Sequence, residues 1–213
     1  MKILCNDNSI VVCKKPAGVL SQEAEETSMP SLLRQELGLS EIFPVHRLDT
    51  AASGLMVFAK NKRSAASLSA QIASGGLTKE YLCVVHSLPK ENEGEYVDLL
   101  FKDSSKNKTY VVKKERRGVK QARLLFRVLG TSENKNGTFS LVRVRLITGR
   151  THQIRVQFAS RGTPLCGDGK YGAKDNMNGL ALYSCRLSFS HPQTGERLDF
   201  ESLPPGVEPW IYF

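Results

Sequence analysis

The chain has 213 residues, of which 40% are hydrophobic and 24% are charged. These values are ordinary for a globular protein, and they exclude a disordered chain, a collagen and a coiled coil. Lysine and arginine outnumber aspartate and glutamate by 30 to 21, which gives a net charge of +9 and predicts a polyanionic partner such as nucleic acid.

The first half of the chain predicts strands and two helices. Residues 3–15 have the pattern of two strands separated by a turn at 6–8. A helix that starts near Pro30 and ends at Gly38 is predicted by these two residues and the apolar spacing between them. The pattern then predicts a buried strand, a helix closed by glycine and another strand, at 54–59, 62–74 and 78–86.

The second half is richer in strands. Residues 87–107 are polar and predict an irregular loop with one strand-like piece at 96–101. Three β-rich segments follow at 109–114, 120–129 and 138–147, and we interpret them as hairpins with a basic tip at 113–120. A helix at 151–160 and strands at 180–190 and 197–201 complete the chain. The prediction is one α+β domain over 1–213, a mainly antiparallel mixed sheet with flanking helices and loops.

Cysteine and histidine do not suggest a metal site. The five cysteines are odd in number and scattered, and the four histidines are far apart in the sequence. We therefore expect free thiols in a reducing cytoplasm and no zinc. No apolar run reaches the roughly 20 residues of a membrane span, and Asp7 stands where a secretory signal would be apolar, so we expect neither membrane association nor export.

Three segments carry residues suited to chemistry. Asp49 lies between a basic residue and a turn of small residues, just before the predicted buried strand. On the strand at 78–86, alternation places Lys79 and Tyr81 on one face. At 148–157, polar side chains surround a predicted helix N-terminus, which is a common anion or phosphate site. Taken alone, the third segment indicates nucleic acid or a phosphate group.

Together with 10–18 and 167–172, these segments resemble the RluA family of pseudouridine synthases over nearly the whole chain. Ala52 departs from the family, which commonly has threonine there, and we expect no effect on catalysis because this position lies in the turn after the acid. Because the chain starts directly at the segments of the catalytic domain, we expect a catalytic domain that stands alone, without the S4-type RNA-binding domain that many relatives carry in front. The resemblance also implies conversion of uridine in RNA to pseudouridine without metal or organic cofactor.

The resemblance assigns roles residue by residue. Asp49 matches the catalytic carboxylate, Tyr81 the tyrosine that lies against the base, and Arg155 the basic residue paired with the acid. Arg47 matches the arginine that fills the space left by the displaced nucleotide. The remaining residues expected to bind substrate are His46, Arg150, His152 and Gln153, although the two histidines are better explained as scaffolding that hydrogen-bonds backbone. Asp168 is interpreted as a turn-stabilising residue.

The chemistry of the reaction fits this assignment. Cleaving a glycosidic bond builds positive charge on the sugar, which one ionised carboxylate can stabilise or attack. Burial would disfavour the charged form of Asp49, and the Arg155 guanidinium is the expected counter-ion. Extruding the nucleotide costs a few kcal/mol, and stacking on Tyr81 returns about 1–3 kcal/mol. Because uracil is retained, no second carboxylate is needed to activate water.

Two alternatives remain at this point. One is a non-catalytic RNA-binding module of the same fold, and the other is a base-excising glycosidase. The RNA class, ribosomal or transfer, is not specified by any motif, and we expect target selection to depend on the loops at 87–107 and 116–120. Phosphate contacts are expected from Arg143, Arg145 and Arg150. We predict a monomer because no segment has the pattern of an assembly surface.

Overall fold

The structure is a computed structural model that describes residues 1–24 and 27–213. Within these residues it contains three α-helices, two short 3-10 turns and eleven strands. The helices are α1 (Met29–Leu37), α2 (Lys62–Ser74) and α3 (Gln153–Ala159), and the 3-10 turns are Gly169–Tyr171 and Trp210–Tyr212. The strands are β1 (Lys2–Asn6), β2 (Ile10–Lys15), β3 (Phe43–Pro44), β4 (Ser53–Ala59), β5 (Thr78–His86), β6 (Glu93–Asp103), β7 (Lys108–Val112), β8 (Val119–Asn134), β9 (Gly137–Leu146), β10 (Leu182–Ser190) and β11 (Arg197–Glu201).

The chain divides into two compact units. The first unit comprises Met1–Lys79 and Tyr183–Leu203, and the second comprises Glu80–Leu182 and Pro204–Phe213. That both belong to a single domain stays a prediction.

The first unit has a mixed sheet. Antiparallel pairs join β1 to β2, β2 to β4, β3 to β4 and β10 to β11, whereas β4 and β10 run parallel. The parallel pair brings Gly54 directly opposite Ser184. Gly54 has φ +112°, and a Cβ there would lie 2.4 Å from the Ser184 carbonyl oxygen. Only glycine fits where these two strands meet.

The core of the first unit lies between this sheet and α2. Leu68 of α2 is fully buried in a cluster with apolar residues of the strands, among them Val12, Val57 and Leu187. Asn61 begins α2 by accepting a hydrogen bond from the Ser64 amide at 2.9 Å. Gly75 ends the helix in the left-handed conformation, as the sequence predicted.

The second unit has an antiparallel sheet in the order β5-β9-β8-β6-β7. The helix α3 contacts β6 and β7 and is buried along almost its whole length. Its Val156 clusters with Leu100 and Ala122, and its Phe158 ring lies 5.8 Å from the ring of Phe126. Because α3 buries residues all round, Arg155 is enclosed along with the apolar side chains.

The predicted α+β class is confirmed, but one prediction in the second half was incomplete and another was wrong. The strand-like piece predicted at 96–101 lies in β6, but β6 is longer and occupies Glu93–Asp103, so the surrounding loop is shorter than expected. The sequence of β6 is polar because one face is exposed, and there Glu95 pairs with Arg123. Backbone pairing with β8 over 93–101 and with β7 over 99–103 outweighs the unfavourable composition.

The basic segment at 113–120 is not a hairpin tip. β7 pairs with β6 rather than with β8, so the connection at 113–118 passes from one side of β6 to the other. The true hairpin joins β8 to β9, where Asn134 pairs with Gly137 across a two-residue turn. The strand β3 and the 3-10 turns were not predicted, because two or three residues are too short to show a period.

Across residues 1–24 and 27–213, no helix combines the length and the apolar character needed to cross a membrane.

Candidate active site

Asp49 lies in the short connection that leads into β4 of the first unit. Its side chain is half-buried, while its neighbours Leu48 and Ala52 are buried. The Asp49 carbonyl accepts a hydrogen bond from the Ala52 amide at 3.0 Å, which closes a tight turn after the acid. Buried residues on both sides of Asp49 thus anchor a partly exposed carboxylate.

A buried lysine holds the residue after Asp49. The Lys15 side chain is 1% exposed, and its ammonium group donates hydrogen bonds to the carbonyls of Pro16, Val19 and Thr50 at 2.8, 2.7 and 3.0 Å. The Thr50 carbonyl also accepts from the Gly18 amide at 2.8 Å. Burial lowers the pKa of Lys15 to about 8, and the negative charge of Asp49 partly opposes this effect.

A serine holds the residue before Asp49. The Ser21 hydroxyl donates to the Leu48 carbonyl at 2.9 Å and accepts from the Leu48 amide at 3.3 Å. The segment from Lys15 to Ser21 therefore fixes the backbone on both sides of the acid. Lys15 and Gly18 belong to the segment 10–18 that carries the resemblance, whereas Ser21 lies outside it, and none of the three was assigned a place in the site from the sequence.

His46 and Arg47 precede Asp49 in the same segment. The Val57 amide of β4 donates to Nε2 of His46 at 3.1 Å. Burial, with a further contribution from the charge of Lys79, lowers the pKa of His46 to about 3, so the ring is neutral at pH 7. His46 thus supports β4, in line with a scaffolding role, while Arg47 is exposed.

Tyr81 and α3 lie on the same face of the second unit's sheet. Tyr81 is opposite Val144 of β9, and Val144 is opposite Phe126 of β8, so these three side chains share one face. Phe158 of α3 contacts that face through the ring of Phe126. Tyr81 is 4% exposed. The register therefore places the predicted base-stacking tyrosine on the side of the sheet that carries α3.

Arg155 forms a buried ion pair with Asp168. Its Nε and Nη2 donate to the two carboxylate oxygens at 2.7 and 2.8 Å, and the two side chains are 9% and 1% exposed. Such a two-point contact keeps the guanidinium charged and fixes its plane. Asp168 was predicted to stabilise its own turn, but its side chain makes no cap hydrogen bond to Gly169–Tyr171 and orients Arg155 instead. The pairing of Arg155 with Asp49 stays a prediction.

Tyr171 joins several residues of the third motif. Its hydroxyl accepts from the Thr109 amide at 2.9 Å and shares a hydrogen bond of 2.9 Å with Nδ1 of His152. The Arg155 guanidinium lies 5.1 Å from the centre of the Tyr171 ring, within the range of a cation–π contact. His152 precedes α3 with φ +52°, an uncommon conformation for a residue with a side chain. Tyr171 lies in the segment 167–172 that carries the resemblance, but its contacts with Thr109, His152 and Arg155 were not predicted from the sequence.

Gln153 and Arg150 form the turn before α3. The Gln153 side-chain oxygen accepts from the Thr148 hydroxyl at 2.8 Å and from the Arg150 amide at 3.0 Å, and its nitrogen donates to the Arg123 carbonyl at 3.1 Å. Gln153 is 2% exposed, and these contacts favour a structural role. Arg150 is exposed and binds the Gln121 carbonyl through Nε at 3.0 Å.

Arg143 and Arg145 flank Val144 on β9, so they project from the face opposite Tyr81. Arg143 also lies 3.6 Å from Glu80. Their predicted phosphate contacts would therefore be made on the side of the sheet away from the tyrosine.

Comparison with known proteins identifies the family. Residues 9–160 match the family model described as RNA pseudouridylate synthase. An uncharacterized RNA pseudouridine synthase, YlyB, of Bacillus subtilis is 34% identical, with 96% of this chain and 69% of that protein aligned. The dual-specificity RNA pseudouridine synthase RluA of Vibrio parahaemolyticus is 37% identical, over 90% of this chain and 78% of that protein.

A solved structure shows the same fold. The structure of human RNA pseudouridylate synthase domain containing 1 superposes with a TM-score of 0.80 and covers 97% of this chain and 84% of its own. Its sequence identity is 22%, so this likeness supports the fold alone. The family match and the sequence relatives support the activity, and the chain belongs to the RluA family of RNA pseudouridine synthases.

Proposed function

We propose that this enzyme isomerises uridine to pseudouridine in structured ribosomal or transfer RNA, with Asp49 as the group that acts on the sugar. In the overall reaction the bond between N1 and C1′ breaks and a bond between C5 and C1′ forms. The proton on C5 leaves, and N1 gains a proton, so atoms and charge balance. No metal or organic cofactor takes part in this reaction.

The observation that carries the proposal is the way Asp49 is held. Ser21 fixes the residue before it, and Lys15 and Gly18 fix the residue after it. A carboxylate that must meet developing positive charge gains most from a position that is set before the substrate arrives. Lys15 is also close enough for the charge of Asp49 to raise the pKa of its ammonium group, which burial lowers.

Tyr81 and Arg155 are the proposed partners of Asp49 in catalysis. Tyr81 stacks on the extruded uracil and assists removal of the C5 proton. Arg155, held by Asp168, supplies a permanent positive charge that stabilises the carboxylate. Arg47, which is exposed, occupies the gap that the extruded nucleotide leaves in the RNA.

RNA binding rests on the basic surface. The net charge of +9 includes a basic group in the connection from β7 to β8 and at the start of β8, comprising Lys113, Lys114, Arg116, Arg117 and Lys120, all of them exposed. We propose that this group contributes phosphate contacts, as does the exposed Arg150 near the third motif. Affinity should then fall steeply with rising salt concentration, and an unchanged affinity would contradict the phosphate contacts.

The test is Asp49→Asn, compared with Asp199→Asn as a control in the same unit. Release of tritium from C5-labelled uridine in RNA measures isomerisation, and gel retardation measures RNA affinity. Asp49→Asn should lower the rate by more than about 10³-fold, because the amide cannot supply the negative charge. Its RNA affinity should stay close to that of the native enzyme, because phosphate contacts dominate binding. Asp199→Asn should preserve both properties.

The outcomes also separate the alternatives. Full activity of Asp49→Asn would remove the central assignment. Binding without tritium release by the native protein would indicate the non-catalytic RNA-binding module. Appearance of free uracil would indicate the glycosidase. We further propose that the enzyme acts as a monomer in the cytoplasm, for which sedimentation of the protein and cell fractionation are the direct measurements.

A further inference from the structure

Three potential metal ligands meet in the second unit, although the sequence separates them widely. His86 ends β5, Cys166 follows α3, and Asp175 lies in the loop before β10. Nε2 of His86 is 2.5 Å from Oδ2 of Asp175, and the Cys166 sulfur lies within 4.8 Å of both ligand groups. One nitrogen, one sulfur and one oxygen donor therefore converge on a single point.

We propose that His86, Cys166 and Asp175 bind a divalent cation of the zinc type, in a site that supports the structure of the second unit. This inference does not depend on the proposed catalytic roles, and the metal takes no part in the isomerisation.

The donor set suits this class of ion. Zinc accepts thiolate, imidazole and carboxylate ligands, whereas magnesium and calcium prefer oxygen alone. A thiolate and a carboxylate also neutralise a divalent ion completely, and neutrality favours a site that is largely screened from water. In a tetrahedral site the ligand atoms lie about 3.3–3.8 Å apart, so His86 and Asp175 must separate slightly while Cys166 approaches by about 1 Å.

The surroundings already orient two of the ligands. The Asp175 carboxylate accepts hydrogen bonds from the amides of Gly167 and Met177 at 3.0–3.1 Å. The backbone of Cys166 is held by Val84 and Ala181 through hydrogen bonds of 2.9 Å each. Outer contacts of this kind fix the direction of metal ligands and raise affinity.

Two of the three proposed ligands are accessible from a cavity. His86 and Asp175 line a cavity of about 570 Å³, together with Tyr171, Gly172 and Lys174. An ion held between the three ligands would face this cavity. A water molecule from the cavity can supply the fourth ligand, which zinc requires.

Binding changes the protonation of Cys166. Without a bound metal, an ordinary cysteine thiol carries its proton at pH 7. When the sulfur–metal bond forms, this proton leaves to solvent and the thiolate charge is balanced by the ion. Each metal ion bound therefore releases one proton from Cys166.

The site has a structural consequence. It connects the end of β5 with the segment that contains Gly167 and Asp168, and Asp168 is the residue that holds Arg155. A Cβ on Gly167 would lie 1.8 Å from the Gly179 carbonyl oxygen, so this segment is already packed tightly against the loop before β10. A bound ion would fix both segments to β5 and raise the melting temperature of the protein.

The experiment is titration of the full chain with cobalt(II), which reports thiolate ligation through an intense near-ultraviolet absorption. We expect one equivalent to bind with this absorption and with the visible bands of a four-coordinate ion, and zinc should displace it. Cys166→Ala should lose the near-ultraviolet absorption. Cys13→Ala is the matched control, because Cys13 is fully buried like Cys166 but does not belong to the proposed ligand set.

A second pair of variants distinguishes the loss of a metal ligand from the loss of the fold. Asp175→Asn and His86→Gln keep the size of the side chains, and circular dichroism establishes that each is folded. Each should weaken cobalt binding at least tenfold, which is a loss of about 1.4 kcal/mol. The proposal is overturned if the native chain shows no thiolate absorption with one equivalent of cobalt, or if the folded Asp175→Asn and His86→Gln variants bind as tightly as the native chain.

Discussion

Lys15 in the first unit and Arg155 in the second are both almost completely buried, yet their charges are stabilised differently. The Lys15 ammonium is surrounded by three neutral carbonyls. The Arg155 guanidinium forms two hydrogen bonds to a single carboxylate, that of Asp168. In both cases the hydrogen-bond donors of the cation are satisfied. Lys15 supports the backbone beside Asp49, whereas Arg155 has a proposed catalytic role itself, and only Arg155 has an opposite charge in direct contact.

This difference determines which cation can titrate. Carbonyl dipoles do not fully replace water around an ammonium, so burial lowers the pKa of Lys15 to about 8. A guanidinium remains protonated at any ordinary pH, and the bidentate pair reinforces its charge. The charge of Lys15 beside the Asp49 loop is therefore lost at mildly alkaline pH, whereas the orientation of Arg155 depends on an intact partner.

The largest effect on stability is expected from Asp168→Asn. This change leaves the Arg155 charge buried without its carboxylate, and it should lower the free energy of unfolding by about 3–5 kcal/mol. Urea denaturation measures the loss. The control is Asp199→Asn, because Asp199 pairs with Arg186 where the side chains are 41% and 37% exposed, and there the loss should be about 0–1 kcal/mol. Equal losses would mean that burial does not distinguish the pairs.

Gly54→Ala tests how tightly the backbone of β4, the strand that follows the Asp49 turn, is packed against β10. The new Cβ would lie 2.4 Å from the Ser184 carbonyl oxygen, so β4 and β10 must move apart, and unfolding should become easier by about 3 kcal/mol. Gly18→Ala is the matched control, since Gly18 also has a positive φ but open space around it, and it should lose about 1 kcal/mol. A loss at Gly54 no greater than that at Gly18 would contradict the close approach of the strands.

Lys15→Met should have a smaller effect than Asp168→Asn. It removes the donor from three carbonyls, but it also relieves the cost of burying a charge, so the net loss should be about 2 kcal/mol. The rate of pseudouridine formation should fall as well, because the Thr50 carbonyl loses a contact beside Asp49. Thermal unfolding and tritium release are the measurements. The control is Lys14→Met, because Lys14 is the half-buried neighbour of Lys15. A loss larger than that of Asp168→Asn would reverse the comparison.

The smallest effect is the pH dependence of Lys15. Its pKa is about 8 in the folded chain and near 10.4 in the unfolded chain. Between these values the unfolded chain binds more protons at this site, so the contribution of Lys15 to stability rises with pH. The destabilisation by Lys15→Met should therefore grow by about 1 kcal/mol between about pH 7 and 9. If the destabilisation by Lys15→Met shrinks over this range, the pKa of Lys15 is raised on folding rather than lowered.

Local pattern was sufficient for elements whose ends have their own chemical signals. α2 begins after Asn61 and ends before Gly75, and β5 covers Thr78–His86, in both cases as predicted. Only the piece at 96–101 of β6 was predicted as a strand, because the polar residues at its two ends hide segments that pair with β8 and β7. The motifs also indicated the family and its reaction before any contact was known, since they are long and irregular.

The sequence by itself determined the fold class, most helices and strands, and the choice of Asp49, Tyr81 and Arg155 as the candidate catalytic residues. Only the tertiary structure decided what surrounds the charged groups: three carbonyls around Lys15, and a carboxylate around Arg155. It also brought His86, which lies 80 positions before Cys166, next to it. Hydrophobic periods and helix caps act over a few residues and can be read from the chain. The environment of a buried charge depends on segments that meet only when strands pair and loops pack.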